Sequence, residues 1–223
     1  MLNPAGTHWG RFMFSRSIVI AALCWTACGL RAQAQVVLPL VEDVESGPLK
    51  NQIKRLQEVI QNSLSAADRN ALHKLLSAGD DIGESVQKLL DPYCLIGVTI
   101  NPESRVKAAR GPRAADLVQG TETLVLIKVQ NEAGVTGGLK VSGDQLRTAQ
   151  ASDKSHWLEA EVHAKKPLDA RLTGQKLEYA VLRLKGHARG KREVTLRFDV
   201  GQGTQDLGFR AEVPILFAVK PAK

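Results

Sequence analysis

The spacing of apolar residues changes at Pro92, and this change most restricts what the chain can fold into. Between Pro48 and Leu90 the apolar residues recur every three or four positions, as in Leu49, Ile53, Leu56 and Ile60. That period places them on one face of an α-helix. After Pro92 apolar and polar residues alternate, which is typical of β-strands. The sequence therefore predicts a helical arm over 48–92 and a β-domain over 93–223.

The helical arm is expected to pack on the β-domain. Ser65 followed by Asp68 indicates the N-terminal cap of a second helix, and Asp91-Pro92 closes the arm. Short helices of this kind cannot supply the three or four heptads of a coiled coil. Their apolar stripe is thus predicted to cover a neighbouring sheet and not to drive self-association.

The β-domain is predicted to contain eight short strands, separated by glycine and proline. They are Cys94–Ile100, Arg105–Ala108, Thr123–Gln130, Leu139–Ser142, Trp157–His163, Leu177–Lys185, Glu193–Val200 and Val213–Val219. Successive strands with no helix between them favour a sandwich over a β-α-β sheet. The predicted fold is mainly β with an α-helical N-terminal arm, an antiparallel, immunoglobulin- or fibronectin-III-like β-sandwich of about seven or eight strands.

The first 34 residues have the order of a secretory signal. Arg11 and Arg16 precede the apolar run SIVIAALCWTACGL, and Ala32-Gln33-Ala34 supplies small residues at the cleavage position. The run is shorter than the roughly 20 residues of a membrane span. We expect cleavage after Ala34, a linker over 35–47, and export to the periplasm or the extracellular space. A lipid anchor on Cys28 is disfavoured because the bulky Trp25 stands where an aliphatic residue is required.

Removal of this segment changes the charge and the cysteine count. The net charge falls from +7 to +4, with 27 basic and 23 acidic residues left, because three arginines and no acidic residue are lost. Cys94 becomes the only cysteine, so no internal disulfide can form. The exported domain must be held by its core, and nothing in the sequence indicates a cofactor.

The glycine-rich stretch between Phe198 and Phe217 is predicted to be a connection between two strands. Its order, with Gly201, Gly203 and Gly208, fits neither a phosphate-binding nor a dinucleotide-binding loop, and a strand follows instead of a helix. The glycines are expected to supply positive φ. Its polar residues are candidate contacts at the sandwich edge: Gln202, Thr204, Gln205 and Asp206.

No catalytic or metal-binding residue is predicted. His156 and His163 flank one strand, about 20 Å apart at about 3.3 Å per residue, and cannot share an ion. Cys94 lies in an apolar strand and is predicted to be a small core residue. A serine-hydrolase elbow of the G-x-S-x-G type is absent.

Two further features suggest partner contacts. The cluster Lys185, His187, Arg189, Lys191 and Arg192 is interpreted as the basic tip of one hairpin, and Arg189, Lys191 and Arg192 are candidate contacts for an anionic partner. No aromatic residues alternate with them, which argues against nucleic-acid binding.

Trp157 is the second feature. Strand alternation places it on the face of Glu159 and Glu161, so partial exposure is expected, and an exposed ring would stack on a sugar. A core anchor is the other interpretation.

Three segments of the chain resemble the non-catalytic amino-terminal region of large secreted bacterial proteins. They read LLDPYCLIGVTINPESRVKAARGP, TLVLIKVQNEAGVT and KREVTLRFDVGQGTQDLGFRAEVPILF, within roughly residues 85–219. Those proteins resemble CehA/McbA-type metallohydrolases of the polymerase-and-histidinol-phosphatase superfamily. In that family the region precedes a barrel with histidine and aspartate metal ligands. This sequence reaches Lys223 without a His-x-His motif, so no catalytic residue is carried over.

The sequence therefore favours an exported, non-catalytic accessory or interaction module, not an enzyme. Its partner is expected to be a protein or an anionic cell-surface polysaccharide, with no nucleic acid and no transmembrane span. Two alternatives stay open: a separated or truncated N-terminal part of a metal-dependent hydrolase, and a carbohydrate-binding β-sandwich.

Overall fold

Within the described part of the chain, three short helices precede a β-domain of nine strands in two sheets. A computed structural model describes residues 36–79, 81–148, 155–201 and 210–222. The predicted signal segment and its cleavage site therefore lie outside the described residues. Within the described ranges no helix is both long enough and apolar enough to cross a membrane.

The helices follow the predicted pattern. They are α1 (Ser46–Ile60), α2 (Ala66–Ser77), α3 (Gly83–Leu90) and a 3₁₀ turn over Asp91–Tyr93. The predicted stripe on α1 is buried throughout. The Asp68 N–H donates to Ser65 Oγ at 3.1 Å, which confirms the N-terminal cap of α2. The Tyr93 hydroxyl donates to the Asp68 carboxylate and so ties α2 to the start of the β-domain.

The strands are β1 to β9. Their bounds are Cys94–Ile100, Val106–Arg110, Asp116–Val118, Glu122–Asn131, Lys140–Ser142, Leu158–Val162, Leu177–Gly186, Gly190–Asp199 and Arg210–Lys220. All eight predicted strands are present. The additional strand is β3, which has three residues and was not predicted from the sequence.

The two sheets are mixed, which corrects the predicted antiparallel arrangement. The five-stranded sheet has the order β2-β1-β4-β7-β6, and the four-stranded sheet has the order β3-β9-β8-β5. β1 pairs with β4 in parallel, and β3 pairs with β9 in parallel. After β2 the chain enters the four-stranded sheet as β3. It then returns to the five-stranded sheet as β4, which lies on the opposite side of β1 from β2. Alternation shows which face of a strand is buried but not which strand is its neighbour, so the sequence did not reveal this path.

Two apolar cores result. The inner core lies between the sheets and contains Phe198, Phe217, Trp157 and the inward residues of both sheets. The outer core lies between the helices and the outer face of the five-stranded sheet, where Leu126, Tyr179 and Val181 meet the stripe of α1. The helical arm therefore packs on the β-domain, as predicted.

Residues 36–45, which we call the strap, continue this cover. They form no helix or strand, yet Leu38 and Val41 are buried. The side chain of Gln87 donates to the Val41 carbonyl at 2.9 Å and accepts from the Val41 N–H at 2.8 Å. The described part of the predicted linker is thus held against α3 and the five-stranded sheet.

Candidate functional site

The glycine-rich stretch connects two neighbouring strands. β8 and β9 are antiparallel partners from Gly190 and Val219 to Asp199 and Arg210, so the prediction of a strand-to-strand connection is confirmed. Gly201 has φ of +73°, a conformation that favours glycine. The candidate contacts Gln202, Thr204, Gln205 and Asp206 lie outside the described residues.

The predicted basic hairpin is wrong. β7 belongs to the five-stranded sheet and β8 to the four-stranded sheet, so residues 187–189 cross between sheets. Two of the basic side chains around the crossing also have acidic partners: Arg183 donates to Glu122 at 2.5 Å, and His187 lies 2.6 Å from Glu159. The alternating strands on either side resemble a hairpin in sequence, but their burial in different sheets separates them.

Trp157 is buried, which corrects the expected exposure. Only 4% of the residue is accessible. It lies just before β6 begins, so strand alternation does not govern its side chain, and its ring meets Phe217 edge-on with centroids 6.0 Å apart. A ring in this position cannot stack on a sugar, so the core interpretation holds.

The three candidate basic residues point in different directions. Arg192 pairs in register with the inward Phe217, and its guanidinium lies 5.9 Å from the Trp157 ring centroid, where it closes the end of the inner core. Arg189 is exposed in the crossing. Lys191 faces outward on β8, beside Ala218. The structure therefore does not assemble one anion site from these residues.

Cys94 is a core residue, as predicted. It is fully buried, and burial raises the pKa of its thiol far above the usual range. Among the described residues no three His, Cys, Asp or Glu side chains are grouped so that they could hold a metal ion.

A buried polar cluster lies under the strap. Lys128 Nζ donates to Asp91 Oδ2 at 2.7 Å and to the Pro39 carbonyl at 2.8 Å. The Tyr179 hydroxyl donates to Asp91 Oδ1 at 3.1 Å. Burial raises the pKa of Asp91 despite the lysine beside it. Every member of the cluster has a partner, so it joins the strap, the 3₁₀ turn and the sheet.

None of the helices in the described residues lies on the outer face of the four-stranded sheet, and one half of this face is covered with paired charges. Near the Asp199 end of β8, Arg197 donates to Asp144 at 2.5 Å and to Glu212 at 2.7 Å. The Arg197 guanidinium lowers the pKa of Asp144. Arg210 and Asp199 form a further pair at 3.3 Å. These groups satisfy one another within the chain.

The other half, near the Gly190 end of β8, combines apolar side chains with two charged side chains. Leu216 is 58% exposed and Val118 is 39% exposed. Register places Val118, Pro214, Leu216 and Ala218 on this outer face together with Lys191 and Glu193. We call these six residues the open patch. Within the described ranges neither Lys191 nor Glu193 has a hydrogen-bond or ion-pair partner.

The two edges of the five-stranded sheet, β2 and β6, lie against other parts of the chain. β2 lies beside β9, so the five-stranded sheet curls towards the other sheet at that edge. At the opposite edge the Arg147 N–H donates to the Leu158 carbonyl of β6 at 2.7 Å. Each edge of the five-stranded sheet therefore makes at least one contact with another part of the chain.

A second exposed apolar surface lies on the strap. Val36, Val37 and Leu40 line a groove of about 310 Å³ together with Pro92 and Pro112. Its charged residues are Lys88, which pairs with Glu84 at 2.5 Å, and Asp91, which is held by Lys128. The groove thus offers apolar contact with no unpaired charge among these residues.

Sequence reasoning found Lys191 but missed Leu216, Val118 and Glu193. The signal was present in the run Val213-Pro214-Ile215-Leu216-Phe217, which is apolar at every position. Val213, Ile215 and Phe217 fill the inner core, so Pro214 and Leu216 face outward from the sheet, on a face that no described helix covers.

Comparison with known proteins shows only distant likenesses. No protein-family model matches the chain, and no curated protein matches it. Among solved structures, it is similar to surface layer protein SbsC, domains 1–6, at 16% identity over 49% of this chain and 12% of that chain, with a TM-score of 0.28. It is also similar to the ASH / PapD-like domain of human CEP192, at 6% identity over 59% of this chain and 88% of that chain, with a TM-score of 0.30.

A third similar structure is PbICP-C in complex with falcipain-2. The identity is 13% over 57% of this chain and 92% of that chain, with a TM-score of 0.28. The chain spans only a small part of the SbsC chain, and TM-scores this low carry no argument about function. The function must therefore be inferred from the residues of the chain itself.

Proposed function

We propose that this chain is an exported, non-catalytic interaction module that binds a protein partner through the open patch. The observation that carries the proposal is the combination, on one face, of exposed Leu216 and Val118 with the charges of Lys191 and Glu193, which have no partner among the described residues. An apolar centre with a polar rim is the usual anatomy of a protein–protein interface.

The rigidity of the site supports the same function. The open patch lies on β3, β8 and β9, whose inward residues Leu117, Val194 and Phe217 are buried in the inner core. Little backbone freedom is therefore lost when a partner binds, and lost freedom is a main cost of association. The predicted signal segment and the resemblance to an accessory region also support an exported module.

A polysaccharide partner is less well supported. Glu193 stands two residues from Lys191 on the same face, so the patch has no excess of positive charge. Arg183 and Arg197, which would extend a basic surface, are held by acidic side chains. The buried Trp157 removes the ring on which the sugar hypothesis depended.

Site-directed photo-cross-linking in the native host tests the proposal. A photoreactive amino acid replaces Leu216 in one strain and the exposed Glu58 of α1 in a matched control strain. We expect a discrete cross-linked protein in the exported fraction from position 216 and none from position 58. Equal labelling at both positions, or none at either, would contradict an interaction through the open patch.

A further inference from the structure

We propose that the partner at the open patch is a second copy of this chain, bound face to face about a two-fold axis. This inference rests on the proposed function and names its partner. It starts from Lys191 and Glu193, which carry opposite charges, face outward on the same strand and have no partner in the described part of the chain. Residues two positions apart on a strand, such as these, lie about 7 Å apart.

A two-fold axis turns this pair into a reciprocal recognition element. In an isologous interface, residue i of one copy contacts residue j of the other, and residue j contacts residue i. An axis that passes between the two side chains brings Lys191 of each copy to Glu193 of the other. Both ion pairs form at once, and no like charges are brought together.

The apolar residues fit the same arrangement. Leu216 pairs in register with Glu193, and Ala218 pairs with Lys191, so the apolar row of β9 runs directly beside the charged row. When the charges pair across the axis, Leu216 is placed against the apolar row of the second copy. Its exposed side chain is then removed from water.

The rest of the face explains why the contact is confined to this half. Arg197, Asp144 and Glu212 are already paired within the chain. Lys220 is paired with Asp116 at 3.5 Å and borders the open patch. A partner with charge of one sign would satisfy Lys191 or Glu193 but repel the other, whereas a second copy satisfies both.

The contact area is small, since six residues of a single face form it. Interfaces of this size are weak and transient. We therefore expect a dissociation constant on the order of 10–100 µM, so that the chain is mainly a monomer when dilute and a dimer when concentrated.

Analytical ultracentrifugation of the mature chain over a concentration series tests the proposal. The wild type is expected to move from the monomer mass to twice that mass. Lys191→Glu and Glu193→Lys each place like charges across the axis and should weaken dimerisation at least about tenfold, because like charges cost several kcal/mol at an interface. Lys54→Glu, on the exposed side of α1, is the matched control and should leave dimerisation unchanged.

Mixing the two charge variants gives the sharpest result. A chain with Lys191→Glu has two negative charges at the patch, and a chain with Glu193→Lys has two positive charges. Each variant alone should be a monomer, but an equimolar mixture should form a heterodimer with affinity within about threefold of the wild type. The double variant K191E/E193K should also dimerise. Restored binding in the mixture also shows that both substituted chains are folded, so the loss of binding by each variant alone cannot be due to misfolding.

The outcomes separate this inference from the proposed function. A wild type that stays monomeric at the highest concentration, or a mixture that does not associate, overturns the two-fold dimer. If a different protein is then cross-linked at position 216, the interaction function stands and only the identity of the partner is wrong. If no protein is cross-linked there either, both proposals fail.

Discussion

The outer faces of the two sheets differ in their exposure to solvent. The outer face of the five-stranded sheet is buried under α1, α3 and the strap, where Leu126, Tyr179 and Val181 join the outer core. The outer face of the four-stranded sheet is open and carries ion pairs on one half and the open patch on the other. Both sheets share the inner core, so the difference arises only from the residues that face outward.

This difference shows how the burial pattern of a strand depends on whether one or both of its faces are covered. β4 is buried at five consecutive positions from Val125 to Val129, because both of its faces are covered. β8 alternates between buried and partly exposed residues from Val194 to Asp199, because only one face is covered. Continuous apolar runs are expected for strands with two covered faces. β9 departs from this rule at Leu216, which is apolar and faces outward although no helix or strand of the described residues covers it.

The largest expected effect on stability comes from Lys128, whose charge is buried on the covered outer face of the five-stranded sheet. Lys128→Met keeps the length of the side chain but leaves Asp91 without its cation. We expect the free energy of unfolding to fall by about 3–5 kcal/mol, as when one partner of a buried ion pair is removed. Urea denaturation measures this change.

A double variant provides the control for this prediction. Lys128→Met combined with Asp91→Leu removes both charges and should recover most of the loss, because an apolar pair can replace a buried ion pair. A single Lys128→Met variant as stable as the wild type would contradict the assignment of this cluster as a support of the strap.

Deletion of a buried side chain should have the next largest effect. Leu56 on α1 is fully buried in the outer core, whereas Leu216 faces solvent. Leu56→Ala is expected to lower the free energy of unfolding by about 3 kcal/mol. Leu216→Ala should change it by no more than about 0.5 kcal/mol, as at other exposed sites. Thermal or urea unfolding of the two variants measures both changes. Equal losses in the free energy of unfolding would contradict the assignment of one outer face as buried and the other as exposed.

The contact between the strap and the sheet gives a smaller effect. A Cβ atom at Gly97 on β1 would lie 2.6 Å from Leu38 Cδ2, so Leu38 must move when Gly97 becomes alanine. We expect Gly97→Ala to cost about 1–2 kcal/mol through overpacking. Gly47→Ala on α1 is the matched control, since nothing lies within 4 Å of its added Cβ. That substitution should stabilise the protein by about 0.5–1 kcal/mol, and a loss as large as that of Gly97→Ala would refute the packing argument.

The smallest expected effects concern the pH dependence of stability. The contributions of Asp144 on the exposed outer face and Asp91 on the covered outer face should change with pH in opposite directions. Asp144 on the open face has a pKa lowered by Arg197, so its contribution is present above its ordinary pKa of 3.8 and is lost as the pH falls. Asp91 on the covered face has a pKa raised by burial, so its contribution is present below its ordinary pKa of 3.8 and is lost as the pH rises through the raised value.

Urea unfolding between acidic and neutral pH checks these signs. The stability difference between the wild type and Asp144→Asn should shrink as the pH falls. The difference between the wild type and Asp91→Asn should shift in favour of the wild type as the pH falls. Parallel pH profiles for the two variants would contradict the assigned environments.

The helices and strands of this fold were predictable from the sequence, whereas the pairing of strands within each sheet was not. The stripe of α1, the cap at Ser65 and eight strands follow from spacing and end signals, which depend on short stretches of chain. The parallel pairing of β1 with β4 depends on the path of the chain between sheets. No local pattern encodes that path.

The candidate site shows the same limit. Lys191 was found as part of a charged run, but the run was assigned to a hairpin because the sequence does not show that β7 and β8 enter different sheets. Trp157 was expected on a polar face because alternation was extended one residue beyond the strand. Leu216 is recognised as exposed only when the structure shows that the described helices lie on the outer face of the other sheet.

Hydroxyl-radical labelling of leucine side chains tests the central claim most directly. It compares Leu216 of the open patch with Leu40 of the strap, which is exposed to a similar degree. Labelling is measured in the exported fraction of the host and again after purification and dilution. If the open patch is the contact surface, Leu216 is protected in the exported fraction and labelled after dilution, while Leu40 is labelled equally in both. Equal labelling of Leu216 in the two samples would contradict an interaction through this face.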